Sequence, residues 1–186
     1  MPADNYDKIL LRHAVSIGAI LGATFLCFVF ALDSLFLFDD YPNLDALIYI
    51  QGESLFSTGF WEFVLGGNAG PTGRPVSLFT FALQAASWPD NPAAFKGVNL
   101  LIHSLNSLLV YGICYQITRA LKLPETQAWQ IAFFSSLIWA IHPIHTTVVL
   151  YTVQRMALLS NLFILLGIFL HMRIRLSGNS DTPNRQ

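Results

Sequence analysis

The chain has 186 residues, 54% of them hydrophobic and only 11% charged, with a formal net charge of −1 at pH 7. A typical soluble domain carries about 25% charged residues, so this chain has too few to coat a water-facing surface. The near-neutral balance and the lack of a basic tract also argue against a nucleic-acid-binding protein, which needs a cationic field.

Four stretches reach the roughly 20 apolar residues that cross a bilayer core of about 30 Å. The first runs without a charge from Ala14 to Leu32 and is expected to continue to Phe38. A signal peptide is its competitor, with Lys8 and Arg12 as the basic leader. The apolar run is longer than the usual signal core of about 7–15 residues, so an uncleaved anchor is preferred. The second span covers about residues 97–120, the third runs from Pro124 to His142, where Pro143 ends it, and the fourth from Met156 to Met172. Residues 1–176 form one membrane domain in this reading, and the polar stretch 177–186 reads as a disordered cytoplasmic tail.

Lys and Arg placement sets the orientation. Seven of the ten basic residues fall on the side of the termini: Lys8, Arg12, Arg119, Lys122, Arg173, Arg175 and Arg185. Only Arg74, Lys96 and Arg155 fall opposite. Both termini are therefore expected in the cytoplasm and the long loop, residues 39–96, outside it. That loop is rich in turn formers and interleaved with Phe56, Phe60, Trp61, Phe63 and Trp88, aromatics that favour the membrane–water interface. Its apolar segment Val76–Trp88 is too short to cross and reads as interfacial. The fold expected is all-α integral membrane, with about four spans and a large non-cytoplasmic loop carrying short interfacial helices.

Several residues suit chemistry. Asp39-Asp40 follows the apolar Leu35–Phe38 at the membrane edge, where desolvation and a neighbouring carboxylate raise carboxyl pKa values. Such a pair suits a general base or a ligand for a divalent cation, Mg or Mn; the bland alternative is a charged stop at a helix end. His142 and His145 share one face if their helix continues, as metal or substrate ligands or as caps for carbonyls freed by Pro143. Arg74 and Arg155, kept outside against the charge bias, suit an anionic group such as a phosphate, or ordinary salt bridges. Asn99, His103 and Asn106 recur on one helix face and read as interhelical hydrogen bonders. Cys27 and Cys114, inside apolar runs, read as packing residues.

Five motifs occur in order: Phe38-Asp39-Asp40-Tyr41; Arg74-Pro75-Val76-Ser77-Leu78-Phe79; Val98-Asn99-Leu100-Leu101-Ile102-His103; His142-Pro143-Ile144-His145-Thr146; and Gln154-Arg155. The set resembles the N-terminal membrane region of the TPR-containing protein O-mannosyltransferase-like proteins, within the GT-C glycosyltransferase superfamily. The resemblance covers about residues 14–172. It implies transfer of sugar from a polyprenyl-phosphate carrier to a protein acceptor on the non-cytoplasmic side. It further implies that Asp39 and Asp40 serve as catalytic base or metal ligand. Arg74, His142, His145 and Arg155 extend this to substrate binding. The expected location is a bacterial inner membrane. The family's pattern has Glu where this chain has Thr147, and Ala-Asp where it has Met156-Ala157. Relatives also have more spans and a C-terminal repeat array. The expected function is thus a partial or minimal glycosyltransferase module that needs further helices or a membrane protein partner. A non-catalytic accessory or remnant protein is the alternative, and a small transporter is disfavoured because no span carries a central charge.

Overall fold

The structure is a computed structural model, and it describes residues 3–67 and 73–178. Every regular element among them is helical: α1 (Ala3–Phe28), α2 (Asp40–Leu44), α3 (Thr58–Gly66), α4 (Pro75–Ala82), α5 (Pro92–Ala120), α6 (Glu125–Ala140), α7 (His145–Leu150) and α8 (Arg155–Gly178), with short 3-10 turns between them. The all-α expectation is met. Three helical stretches are long and apolar enough to cross a membrane: Asp7–Ala31, Pro92–Ala120 and Thr152–Leu176. The expected third span is the exception. α6 holds 16 residues, or about 24 Å at 1.5 Å per residue, short of a core of about 30 Å.

Local sequence explains several helix starts. Asn91 Oδ1 accepts the Ala94 amide at 3.1 Å just before Pro92 opens α5. Ser57 Oγ accepts the Phe60 amide at 3.2 Å at the start of α3, and Pro75 occupies the first turn of α4. The first helix stops earlier than its apolar run suggested. α1 ends at Phe28, a 3-10 turn carries the chain to Ala31, and Phe38 adopts a positive φ of 35°. The 32–38 stretch does not continue the span: Phe36 is buried in the loop core, while Leu35, Leu37 and Phe38 stay exposed. The tail expected from Ser177 begins inside α8; residues 179–186 lie outside the described residues.

The chain divides into two compact units. The helix unit comprises residues 1–27, 103–142 and 160–186. Ile20, Tyr111, Ala132 and Ala140 form its core. Small residues allow close approach of its helices: a Cβ on Gly112 of α5 would lie 2.6 Å from the Phe169 ring of α8. The stripe expected on α5 is present, since His103 and Asn106 are both fully buried. His103 Nε2 bonds the Ala140 carbonyl oxygen at 2.8 Å, and its ring stacks on Trp139.

The loop unit comprises residues 28–102 and 143–159. Its core is aromatic: Phe36, Phe60, Phe63, Phe81, Trp88 and Phe95 join Leu44, Leu47, Leu78 and Met156. The short helices expected in the loop are α2, α3 and α4.

Candidate functional site

The loop unit holds the acidic pair, and the pair is split. Asp39 is exposed; Asp40 is fully buried. Asp40 opens α2, so its carboxylate swings back over the preceding turn. There Oδ2 accepts the Leu37 amide at 2.9 Å, and Oδ1 accepts the Val153 amide at 2.7 Å across 113 residues. Burial is the main influence on this carboxyl and pushes its pKa above the usual 3.8; the amides of Leu37, Val153 and Thr152 and the Lys96 ammonium pull the other way. The expected mutual repulsion with Asp39 is not among the causes. Through Val153, the Asp40 side chain clasps the 149–155 segment to the loop.

A raised folded pKa means that Asp40 contributes most to stability below about pH 3.8, and loses that contribution as pH rises through the raised value. The thermal midpoint of the wild type, relative to Asp40→Asn, should therefore improve as pH falls from about 7 toward 4. A difference that stays constant over that window would show that Asp40 does not titrate in it.

Arg155 is the second surprise. Its guanidinium is fully buried beneath Phe81, 4.3 Å from the ring centroid. Nε donates to Asn99 Oδ1 at 2.9 Å, Nη2 to the Phe95 carbonyl at 2.9 Å, and Nη1 to the carbonyl and hydroxyl oxygens of Thr80 at 3.2 and 3.3 Å. Asn99 Nδ2 in turn reaches the carbonyls of Val149, Tyr151 and Thr152, each at 3.3 Å. Arg155 thus anchors the 149–155 segment from one side as Asp40 does from the other. All three guanidinium nitrogens are bonded within the protein, and the side chain is closed to solvent.

Arg74 is exposed at the start of α4, and its Nη1 donates to Met156 Sδ at 2.9 Å. His145 opens α7 in the loop unit, half-buried, whereas His142 lies in the helix unit, exposed beyond the end of α6. The helix does not continue between them, because α6 ends at Ala140 ahead of Pro143. The shared face expected for the two imidazoles is therefore absent. Thr147 and Ala157, which stand where the resemblance expects acids, are both exposed.

Two further residues were not singled out from the sequence. Lys96 is fully buried in the first turns of α5 and donates to the Ser34 carbonyl, to Ser34 Oγ at 2.7 Å and to the Leu35 carbonyl at 3.0 Å. The sequence signal was its place among the three basic residues that the expected topology puts opposite the termini. Tyr151 has its hydroxyl 2.9 Å from the Asp39 amide, which donates to it. Nothing in the sequence marked Tyr151.

The groups that reach Asp40 are backbone N–H donors and an ammonium, and burial disfavours its charged form, so this carboxyl is a poor ligand for a cation. Among the described residues no group of three or more His, Cys, Asp or Glu side chains could hold a metal ion. The Mg or Mn ion of the sequence reading therefore finds no fitting donor set at the Asp39-Asp40 pair. What the site presents to solvent is one carboxylate, Asp39, on a rigid support.

No protein-family model and no solved structure matches the chain. Characterised proteins do. A protein O-mannosyl-transferase of Caenorhabditis elegans is 28% identical over 145 residues, 75% of this chain and 20% of that one. The protein O-mannosyl-transferase TMTC4 of Homo sapiens is 30% identical over 152 residues, 76% of this chain and 20% of its own length. TMTC1 of Homo sapiens is 27% identical over 170 residues, 88% of this chain and 18% of its own. The chain thus spans about a fifth of the curated relatives it matches. The resemblance read from its motifs holds: across most of its own length, this apolar helical chain is a relative of the protein O-mannosyl-transferases.

Proposed function

We propose that the chain is a GT-C-type membrane module that takes part in moving sugar from a polyprenyl-phosphate carrier to a protein hydroxyl outside the cytoplasm. Asp39 is the base: it takes the proton of the acceptor hydroxyl, whose oxygen bonds the sugar carbon as the bond to the carrier phosphate breaks. Arg74, an exposed guanidinium of the loop unit, and His145 of the same unit face the leaving phosphate in this reading. The observation that carries it is the exposed Asp39 held on a buried scaffold, in a chain related to protein O-mannosyl-transferases.

The topology proposed is four spans with both termini cytoplasmic, in a bacterial inner membrane. Connectivity supports α6 as the short third crossing. α5 starts in the loop unit at Pro92, and residues 143–159 pack in that same unit, as the Asp40–Val153 and Asn99–Tyr151 bonds attest. A chain that crosses in α5 must recross before Pro143, and α6 is the one helix between. Its shortfall of about 6 Å costs only fractions of a kcal/mol per Å. In a Cys27→Ser, Cys114→Ser background, cysteines at Ser54 and Thr146 should react with an impermeant thiol reagent from outside, and one at Leu121 should not. Protection of Thr146→Cys with Ser54→Cys reactive would mean that α6 does not cross.

A lipid carrier needs a groove lined on several sides. α8 is apolar and largely uncovered, with Phe163 and Ile164 more than half exposed, so further helices are proposed to complete the site. Purified chain given polyprenyl-phosphate sugars and a peptide acceptor should be silent, and co-expression with a membrane partner should restore transfer. Turnover by the chain alone would make it a minimal enzyme. Silence in both would leave it a non-catalytic accessory protein.

A further inference from the structure

Tyr151 lies between α7 and the turn that leads into α8, in extended backbone with φ −97° and ψ 111°. Its main chain is held at three points: its amide donates to the Thr147 carbonyl at 3.2 Å, and its carbonyl accepts Asn99 Nδ2 at 3.3 Å and the Gln154 amide at 3.1 Å. Its half-buried ring packs on the loop core. A packing residue would be served by Phe. Here the hydroxyl instead meets Asp39 across 112 residues and accepts its amide proton at 2.9 Å. The phenol stays protonated, raised above its usual 10.0 by burial first and also by the charge and hydrogen bonding of the Asp39 carboxylate.

We propose that Tyr151 is the positioning residue for Asp39: its oxygen accepts the Asp39 amide and its proton is given in a hydrogen bond to one carboxylate oxygen, leaving the other for the acceptor hydroxyl. The inference rests on the reading of Asp39 as the base. A catalytic base is effective when a third group orients it, and Asp39, exposed at the start of α2, has no buried contact to do so. Tyr151 supplies the link, and the Arg155–Asn99–Tyr151 bonds make that link rigid.

Two measurements test it. In the chain reconstituted alone in proteoliposomes, Asp39 is labelled with a water-soluble carbodiimide and glycine ethyl ester, and the exposed Asp45 of the same loop serves as internal control. Tyr151→Phe should raise the labelling rate of Asp39 severalfold and leave Asp45 unchanged. An unchanged Asp39, or an equal rise at both, overturns the proposal, the second because it reports a loosened loop. In membranes active with the partner, Tyr151→Phe should lower kcat roughly 10- to 100-fold at constant KM, the scale expected of a misplaced reacting group. Full activity, or a change confined to KM, overturns it. Asp39→Asn is assayed beside it: activity retained there sinks the base reading itself, whatever Tyr151 does.

Discussion

Asp39→Asn is expected to abolish transfer while leaving the fold intact, and Asp40→Asn to do something different. Asp39 is exposed, and its side chain supports no buried group. Its amide bond to Tyr151 and its carbonyl bond to Asn43 at 2.7 Å belong to the backbone and survive the substitution. An amide in place of the carboxylate cannot take a proton from a hydroxyl, and losing a positioned base typically costs about 10²–10⁴-fold. The measurement is transfer by partner-containing membranes, with the thermal midpoint of each variant beside it. Asp39→Asn should show lost turnover at an unchanged midpoint. Asp40→Asn should show its main effect on the midpoint, because both Asp40 oxygens hold backbone amides. A dead Asp40→Asn with normal stability and an active Asp39→Asn would reverse the assignment of the two carboxylates.

Arg155→Ala is expected to lower the thermal midpoint and the yield of folded chain sharply. The truncation strands acceptors on Asn99, Thr80 and Phe95, all inside the loop unit. Each buried unsatisfied group costs about 1–3 kcal/mol, and the vacated space beneath Phe81 adds a cavity term. Allowing for relaxation, the loss is about 3–5 kcal/mol against a whole-domain stability of about 5–15 kcal/mol. Arg155→Lys should recover only part of it. A single ammonium cannot reproduce the planar fork that reaches Asn99, Thr80 and Phe95 together. Yield and thermal midpoint in detergent measure both variants. If Arg155 held a substrate phosphate instead, Arg155→Lys would fold normally and show a raised KM.

Asp40, Lys96 and Arg155 together change what a charged residue at the membrane edge means in this chain. Each is fully buried, and each bonds main-chain groups: Asp40 the amides of Leu37 and Val153 and Lys96 the carbonyls of Ser34 and Leu35, all outside the α-helices, and Arg155 the carbonyls of Thr80 in α4 and Phe95 in α5. Short helices joined by turns leave many such groups open, and where water is scarce side chains must satisfy them.

The sequence by itself determined the class of the protein. Apolar runs of span length, the scarcity of charge, the polar stripe Asn99–His103–Asn106 and the motif order that pointed to the protein O-mannosyl-transferases are all local properties, readable because helix period and bilayer thickness act on neighbouring residues. Only the tertiary structure decided the roles within the site. Asp39 and Asp40 are adjacent in the chain and equivalent to any local rule, yet one faces solvent and the other accepts an amide 113 residues away. Arg155 was legible as an out-of-place cation, but whether it meets a ligand or Asn99 depends on a residue 56 positions earlier. The apolar Leu32–Phe38 stretch reads the same whether it faces lipid or a folded core. Burial of a particular side chain is set by partners brought together from distant segments, and no local pattern records which partners those are.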